Sequence, residues 1–169
     1  MSIALLLAFS DCSDNKSPVT PDTALQRYVQ TRDRAFSWVV KEEFESEGLN
    51  VAIIRLTSQK WREYTWVHQL TIISPDEIDS DGALLFITGG SNRDGEPRWQ
   101  GKDNDMFKMM SLIAARNRAI VAIISQIPNQ PLYEDLNEDA LISFTLHNFK
   151  SNRDFTWPLL FPMTKSAIR

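Results

Sequence analysis

The sequence predicts an α/β protein built on a mixed, mostly parallel β-sheet with helices on its faces. Residues 36–56 hold two segments rich in β-branched and aromatic residues around a turn, which is the pattern of an antiparallel hairpin. Residues 83–124 then follow the order strand, helix, strand, and strands joined in this way are parallel. An antiparallel start followed by such units indicates a mixed sheet covered by helices.

Composition and charge narrow the class of protein. The chain has 169 residues, of which 43% are hydrophobic and 24% are charged. This length suits one domain with a substantial core, and the composition is ordinary for a globular protein. The net charge is −4, and no dense cluster of lysine and arginine is present. Because phosphate binding needs a basic face, we expect no nucleic-acid partner.

The first 20 residues have the pattern of a signal segment and tether. An apolar run over residues 3–9 leads to Cys12, and a polar stretch with Ser, Asn and Pro follows. This order is typical of a bacterial lipoprotein signal, in which the cysteine becomes the lipidated first residue. Asp11 and the lack of a basic residue before the run depart from that signal, so an unstructured N-terminus is the alternative. The interpretation predicts export, as a periplasmic or outer-membrane-anchored lipoprotein of a Gram-negative bacterium, with membrane contact only through Cys12.

The first half of residues 21–169 is expected to form a helix and three strands. Residues 23–31 place apolar side chains on one helical face. Residues 36–44 and 51–56 are the two strands of the hairpin, and residues 47–50 between them supply its turn. Residues 67–74 are the third strand, which ends at a proline that cannot continue a ladder.

The second half is expected to continue with the parallel unit. Residues 83–88 are wholly apolar apart from the final threonine, which predicts a strand buried on both faces. Asp103 or Asn104 can cap the helix that follows, and residues 119–124 are the second apolar strand.

The last part of the chain is expected to be helical. A polar loop with two prolines spans residues 125–137, and Asn137 can cap a helix that runs to about Lys150. A further helix is expected to begin near Met163.

These segments in series resemble the PhoPQ-activated pathogenicity-related family, a group named for virulence regulation and related to the autocrine proliferation repressor proteins. The resemblance covers residues 22–169, and its matching stretches are residues 56–61, 68–75, 83–92, 128–132, 138–142 and 157–165. It implies an α/β-hydrolase-like fold, of which this chain is the N-terminal half.

Members of the family are several hundred residues long, so the resemblance also implies that residues 21–169 are a partial domain that stops before the nucleophile strand. We therefore expect a chain that is inactive alone, from a parent that is a candidate serine hydrolase of a small-molecule, ester or peptide substrate, without a cofactor. The alternative is a secreted, non-catalytic binding or signalling protein on a hydrolase scaffold.

Gly89, Gly90, Ser91 and Asn92 directly follow an expected strand and are the main candidate site. In α/β-hydrolases, the loop after the third strand contributes a backbone N–H group to the oxyanion hole, and glycine lets a backbone approach a ligand closely. A tight turn without further function is one alternative. Ser91 as a nucleophile is another, although Arg93 occupies the last glycine position of G-x-S-x-G.

Asn129 and Gln130 lie just past the expected strand 119–124, at the sheet edge where ligands collect in open α/β sheets. They are candidates for a pocket wall, and amides that satisfy the local backbone are the alternative. His68 and His147 could serve as bases but are interpreted as structural.

Two acidic groups, around residues 103–105 and 134–139, are interpreted as helix starts, and we expect no metal site.

Overall fold

The computed structural model describes residues 18–169 as seven strands and four helices. Cys12 and the predicted signal segment before residue 18 lie outside the described residues. The elements are α1 (Pro21–Gln30), β1 (Ser37–Ser46), β2 (Leu49–Trp61), β3 (Tyr64–Pro75), β4 (Ala83–Ile87), β5 (Asn92–Arg93), β6 (Glu96–Pro97), α2 (Asp105–Asn117), β7 (Ile120–Ile124), α3 (Glu138–Asn152) and α4 (Leu160–Ala167).

Five of the strands form one mixed sheet in the order β1-β2-β3-β7-β4. The β1–β2, β2–β3 and β3–β7 pairs are antiparallel, and β4 and β7 are parallel. The α/β class with flanking helices is therefore confirmed. The expected predominance of parallel strands is not met in residues 18–169, because three of the four strand pairs are antiparallel. The strands of the hairpins β1–β2 and β2–β3 are also long, whereas β4 and β7 have five residues each.

The crossover from β4 through α2 to β7 confirms the predicted parallel unit. The Asn104 side chain caps α2 by accepting hydrogen bonds from the N–H groups of Met106 and Phe107. The buried face of α2 packs on β3 and β7 in a core that includes Phe107, Met110, Ile73 and Val121. This packing holds β4 and β7 with their carboxyl ends at the same edge of the sheet.

The opposite face of the sheet is covered by α1 and α4. The helix α4 packs on both α1 and β2. Beside it, an aromatic cluster joins the end of the β2–β3 hairpin to α3 and to the segment before α4. Its rings are those of Trp61, Trp66, Tyr64, Tyr133, Phe144 and Trp157. Edge-to-face contacts predominate, as the quadrupoles of aromatic rings favour.

One burial prediction was wrong. The strand β4 was expected to be buried on both faces, but Leu84, Leu85 and Ile87 are 40–48% exposed. The reason is position, because β4 is at the edge of the sheet and pairs only with β7 among the described strands. An apolar run predicts a strand without fixing how many neighbours cover it.

A short β5–β6 hairpin was not predicted. Asp94 and Gly95 form its turn and both have positive φ, of 54° and 77°. The helix α4 also begins three residues earlier than expected, at Leu160. Across residues 18–169, none of the helices combines the length and the apolar character needed to cross a membrane.

Candidate functional site

The loop of Gly89, Gly90, Ser91 and Asn92, the first loop, follows β4. It lies against residues 125–130, the second loop, which follows β7. Because β4 and β7 are parallel, both loops leave the sheet at its carboxyl edge. The Thr88 N–H group still donates to the Ile124 carbonyl, at 2.9 Å, so the loop begins immediately after this bond.

Three successive carbonyl groups of the first loop are held by the second loop. The Thr88 carbonyl accepts from the Ile127 N–H group at 3.1 Å, and the Gly89 carbonyl accepts from the Gln126 N–H group at 3.0 Å. The Gly90 carbonyl accepts from the Gln130 Nε2 atom at 3.1 Å. In an extended strand successive carbonyls alternate in direction, so three that face one segment mark a local departure from strand geometry.

The N–H groups of the same three peptide units face the other way. In a trans peptide the N–H and C=O bonds point in opposite directions. The N–H groups of Gly89, Gly90 and Ser91 therefore point away from the second loop. Within residues 18–169 these three groups donate no hydrogen bond to the protein. The result is a row of three fixed backbone donors directed outward.

Gly90 makes this geometry feasible. Its φ is 137°, a value that residues with a side chain rarely adopt. A Cβ atom at this position would also lie 3.2 Å from the Gln126 Nε2 atom. The backbone conformation at position 90 therefore favours glycine, and a Cβ atom there would also require the Gln126 side chain to shift by a few tenths of an ångström. A Cβ atom on Gly89 would meet no atom within 4 Å.

Gln126 packs against the glycine loop, and the sequence did not indicate it as a site residue. It is fully buried with a φ of 62°, and its Oε1 atom accepts from the Gln69 N–H group at 2.8 Å. Its Nε2 atom is buried against Gly90 and has no hydrogen-bond partner in the described chain. The one available sequence signal was a glutamine soon after an apolar strand, at the edge where ligands collect.

The amides of Asn129 and Gln130 form hydrogen bonds with other parts of the chain. Both residues are buried. Asn129 and Asn92 each donate from Nδ2 to the Val67 carbonyl, at 2.8 and 2.9 Å. Gln130 also accepts from the Glu138 N–H group through Oε1, at 2.8 Å. These side chains hold the glycine loop in place.

No base is hydrogen-bonded to Ser91 within residues 18–169. Its Oγ atom forms no hydrogen bond within the described chain, and its carbonyl accepts from the Arg98 N–H group at 3.0 Å. The arrangement of residues 18–169 thus offers donors for a negatively charged atom and no activated nucleophile at this loop.

A serine–histidine pair does exist elsewhere, but it is inaccessible. The Ser58 Oγ and His68 Nε2 atoms are 2.9 Å apart, and His68 Nδ1 lies 3.1 Å from the Ser125 carbonyl oxygen. Both Ser58 and His68 have no exposed surface. Burial lowers the pKa of His68 to about 4, so the ring is neutral near pH 7. The pair is part of a buried polar network, and no substrate reaches it.

The remaining candidates are dispersed. His147 is exposed on α3, distant in sequence from the glycine loop. Asp103 and Asp105 flank the Asn104 cap of α2. Among the residues that the structure describes, no group of three or more His, Cys, Asp or Glu side chains is arranged to hold a metal ion.

The relatives of the chain are longer than the chain itself. It is 26% identical over 158 residues to autocrine proliferation repressor protein A of Dictyostelium discoideum, an alignment that covers 87% of the chain and 31% of that protein. The chain therefore spans about a third of this curated relative.

Solved structures with a similar course of the backbone include acetyl xylan esterases. One is a candidate esterase of this type from Bacteroides fragilis, with 14% identity, a TM-score of 0.49, and coverage of 84% of this chain and 38% of that one. Another is acetyl xylan esterase 1 from Thermoanaerobacterium, with 13% identity, a TM-score of 0.49, and coverage of 85% and 42%. With scores at this level, the assignment of the chain depends on its own sheet and on its family.

The family model for PhoPQ-activated pathogenicity-related protein matches residues 25–169, which include the whole sheet and both loops of the candidate site. The chain has a mixed α/β sheet flanked by helices and belongs to the PhoPQ-activated pathogenicity-related protein family.

Proposed function

We propose that residues 18–169 form the oxyanion side of a hydrolase-like active site, and that the nucleophile, acid and histidine come from residues outside this part of the protein. The observation that carries the proposal is the row of outward N–H groups at Gly89, Gly90 and Ser91, fixed by hydrogen bonds to the carbonyls of the same peptides. Donors fixed in advance stabilise the negative charge that develops on a carbonyl oxygen during acyl transfer.

The proposal gives each residue a distinct role. The N–H groups of Gly90 and Ser91 bind the developing oxyanion, and Gly89 adds a third donor beside them. Gln126 and Gln130 are positioning residues, because they hold the carbonyls of Gly89 and Gly90 and do not face the substrate. The substrate class is an ester, a peptide or another small molecule with an electrophilic carbonyl. The 169-residue chain is then inactive alone.

The test compares the 169-residue chain with a longer protein that contains it together with a nucleophile strand. We expect no hydrolysis of 4-nitrophenyl acetate by the 169-residue chain. In the longer protein, Gly90→Ala should lower kcat by a factor of about 10²–10³ with a smaller change in KM, as for loss of an oxyanion donor. Gly95→Ala is the matched control, because Gly95 also has positive φ but lies in the β5–β6 turn.

Two results would contradict the proposal. One is ester hydrolysis by the 169-residue chain that is lost in Ser91→Ala, which would place the nucleophile in the loop itself. The other is a Gly90→Ala variant of the longer protein that retains full kcat while Gly95→Ala behaves in the same way.

A second candidate function is a secreted binding or signalling protein that keeps the scaffold without the reaction. The observation in its favour is the relative named autocrine proliferation repressor protein A, whose name describes an effect on cells and no reaction. A longer protein that folds cooperatively but hydrolyses none of a panel of esters and peptides would favour this candidate over the enzyme.

We also propose that the protein is exported and lipidated at Cys12, on the basis of the apolar run and polar tether that flank this residue. Incorporation of labelled palmitate that is lost in Cys12→Ser, together with recovery in the membrane fraction, would support it. Recovery of unlabelled wild-type protein in the cytosol would refute it.

A further inference from the structure

A cavity lies on the side of the sheet covered by α1 and α4, and it shares no residue with the glycine loop. Its volume is about 460 Å³, within the range of small-molecule sites. It is enclosed by α1, the end of β2, the segment between α3 and α4, and α4 itself. Its lining includes Tyr28, Asp33, Lys60, Asp154, Phe155 and Lys165.

Basic side chains outnumber acidic ones in this cavity. Lys60, Arg153 and Lys165 line it, against two aspartates. Each aspartate already accepts hydrogen bonds from the chain. The cavity therefore presents positive charge to a ligand, although the protein as a whole carries a net charge of −4.

The two carboxylates are held by nearby donors. Asp33 accepts from the N–H groups of Ala35 and Lys60 through its two oxygens, both at 2.8 Å. Asp154 accepts from the N–H and hydroxyl groups of Thr156 through one oxygen and from Arg62 through the other, at 2.9 Å. Neither carboxylate forms an ion pair with a lysine of the cavity within residues 18–169.

Lys165 is the most informative residue of the cavity. It is 3% exposed, and its ammonium group donates one hydrogen bond, to the Thr31 carbonyl at 2.9 Å. The Nζ atom also lies 5.2 Å from the centroid of the Tyr28 ring. An ammonium group has three donors, so two are left without an acceptor among residues 18–169. Burial lowers the pKa of Lys165, with Asp33 acting in the opposite sense and Arg169 in the same sense.

A buried ammonium group without a carboxylate in contact is costly. A ligand that brings a negative charge to Nζ would offset this cost. The walls beside it are apolar or aromatic, with Val19, Ala24, Tyr28 and Phe155. The cavity thus offers a basic end and an apolar end at once.

We propose that this cavity binds a small organic anion, with a carboxylate or phosphate group at Lys165 and an apolar or aromatic body against Tyr28 and Phe155. Lys60, which is exposed at the mouth of the cavity, supplies a second positive charge. The site is independent of the glycine loop, so it stands even where the proposed hydrolase function fails.

The test is equilibrium dialysis of the 169-residue chain at low concentration against three probes: 4-phenylbutyrate, phenyl phosphate and the neutral 4-phenylbutanol. We expect one or both anions to bind, the alcohol to bind at least about tenfold more weakly, and salt to weaken the anions alone. Preference between the carboxylate and the phosphate identifies the anionic group. Lys165→Met should weaken anion binding about tenfold or more.

Two variants keep the test independent of folding defects. Lys60→Met changes an exposed side chain whose backbone alone bonds Asp33, and it should weaken the anions severalfold while the protein stays folded. Lys150→Met, on the exposed surface of α3, is the control and should bind like the wild type. Binding of the alcohol as tightly as the anions, or anion binding unchanged in both Lys165→Met and Lys60→Met, would overturn the proposal.

Discussion

In the 169-residue chain, the exposed edge of β4 should drive self-association, and Leu85→Lys should suppress it. The strand is short and apolar and pairs on one side only among the described strands. An edge of this kind is a template for pairing with another chain, and a lysine on it is a common natural protection.

The magnitude follows from the exposed fractions. Complete burial of a leucine or isoleucine side chain contributes about 1.5–3 kcal/mol. In a pair of chains, covering the exposed 40–48% of Leu84, Leu85 and Ile87 on both edges therefore contributes about 4–8 kcal/mol in total. Backbone hydrogen bonds along the edge add about 0.5–1.5 kcal/mol each. Because association itself costs at least about 4 kcal/mol, the dissociation constant should lie in the micromolar to millimolar range.

Sedimentation velocity across a dilution series measures this association. We expect Leu85→Lys to raise the dissociation constant at least about tenfold, since a lysine in the interface must be desolvated. Leu146→Lys is the control, because Leu146 is 47% exposed on α3, away from the sheet edge. A wild-type chain that stays monomeric at all concentrations and melts cooperatively would refute the reasoning, as would an equal effect of the two substitutions.

Two further predictions concern stability, measured by urea unfolding in dilute solution. Because burial lowers the pKa of His68 from 6.5 to about 4, the unfolded chain takes up the proton first as pH falls. The free energy of unfolding should therefore be constant above about pH 6.5 and should fall by about 3 kcal/mol towards pH 4. His68→Gln should flatten this decline, and an unchanged pH profile in the variant would contradict the prediction. Gln130→Ala should lower the free energy of unfolding by about 2–3 kcal/mol, because its buried amide bonds both the Gly90 carbonyl and the Glu138 N–H group. The control Gln100→Ala changes an exposed side chain and should lower it little. Equal losses in the two variants would show that the two bonds contribute nothing.

Local chemistry made the elements of the fold predictable. The β1–β2 hairpin followed from β-branched runs around Glu47 and Gly48, both of which have positive φ in the structure. The α2 cap followed from an asparagine before an amphipathic run. The β5–β6 hairpin carried an equally local signal, because Asp-Gly is a favoured two-residue turn, and it was missed for lack of apolar strands beside it.

The candidate site was predictable only in part. The glycine pair after an apolar strand indicated Gly90, but its partners come from a loop beyond α2 and β7. No periodic pattern in the sequence predicts the hydrogen bonds that Gln126 and Gln130 form with the glycine loop. Each bond joins two segments that are distant in sequence and meet only in the folded sheet. The same is true of Ser58 and His68, which meet across the β2–β3 pair.

The shared acceptor at Val67 has a consequence for protein engineering. One carbonyl group receives Nδ2 of Asn92 from the first loop and Nδ2 of Asn129 from the second. The Asn92 N–H group is also bound to the Gln130 carbonyl, at 2.7 Å. A graft that replaces residues 88–92 alone would leave the resident second loop facing an unmatched partner. Residues 88–92 and 126–130 therefore form a single exchangeable cassette, to be transplanted together with the strand that carries Val67.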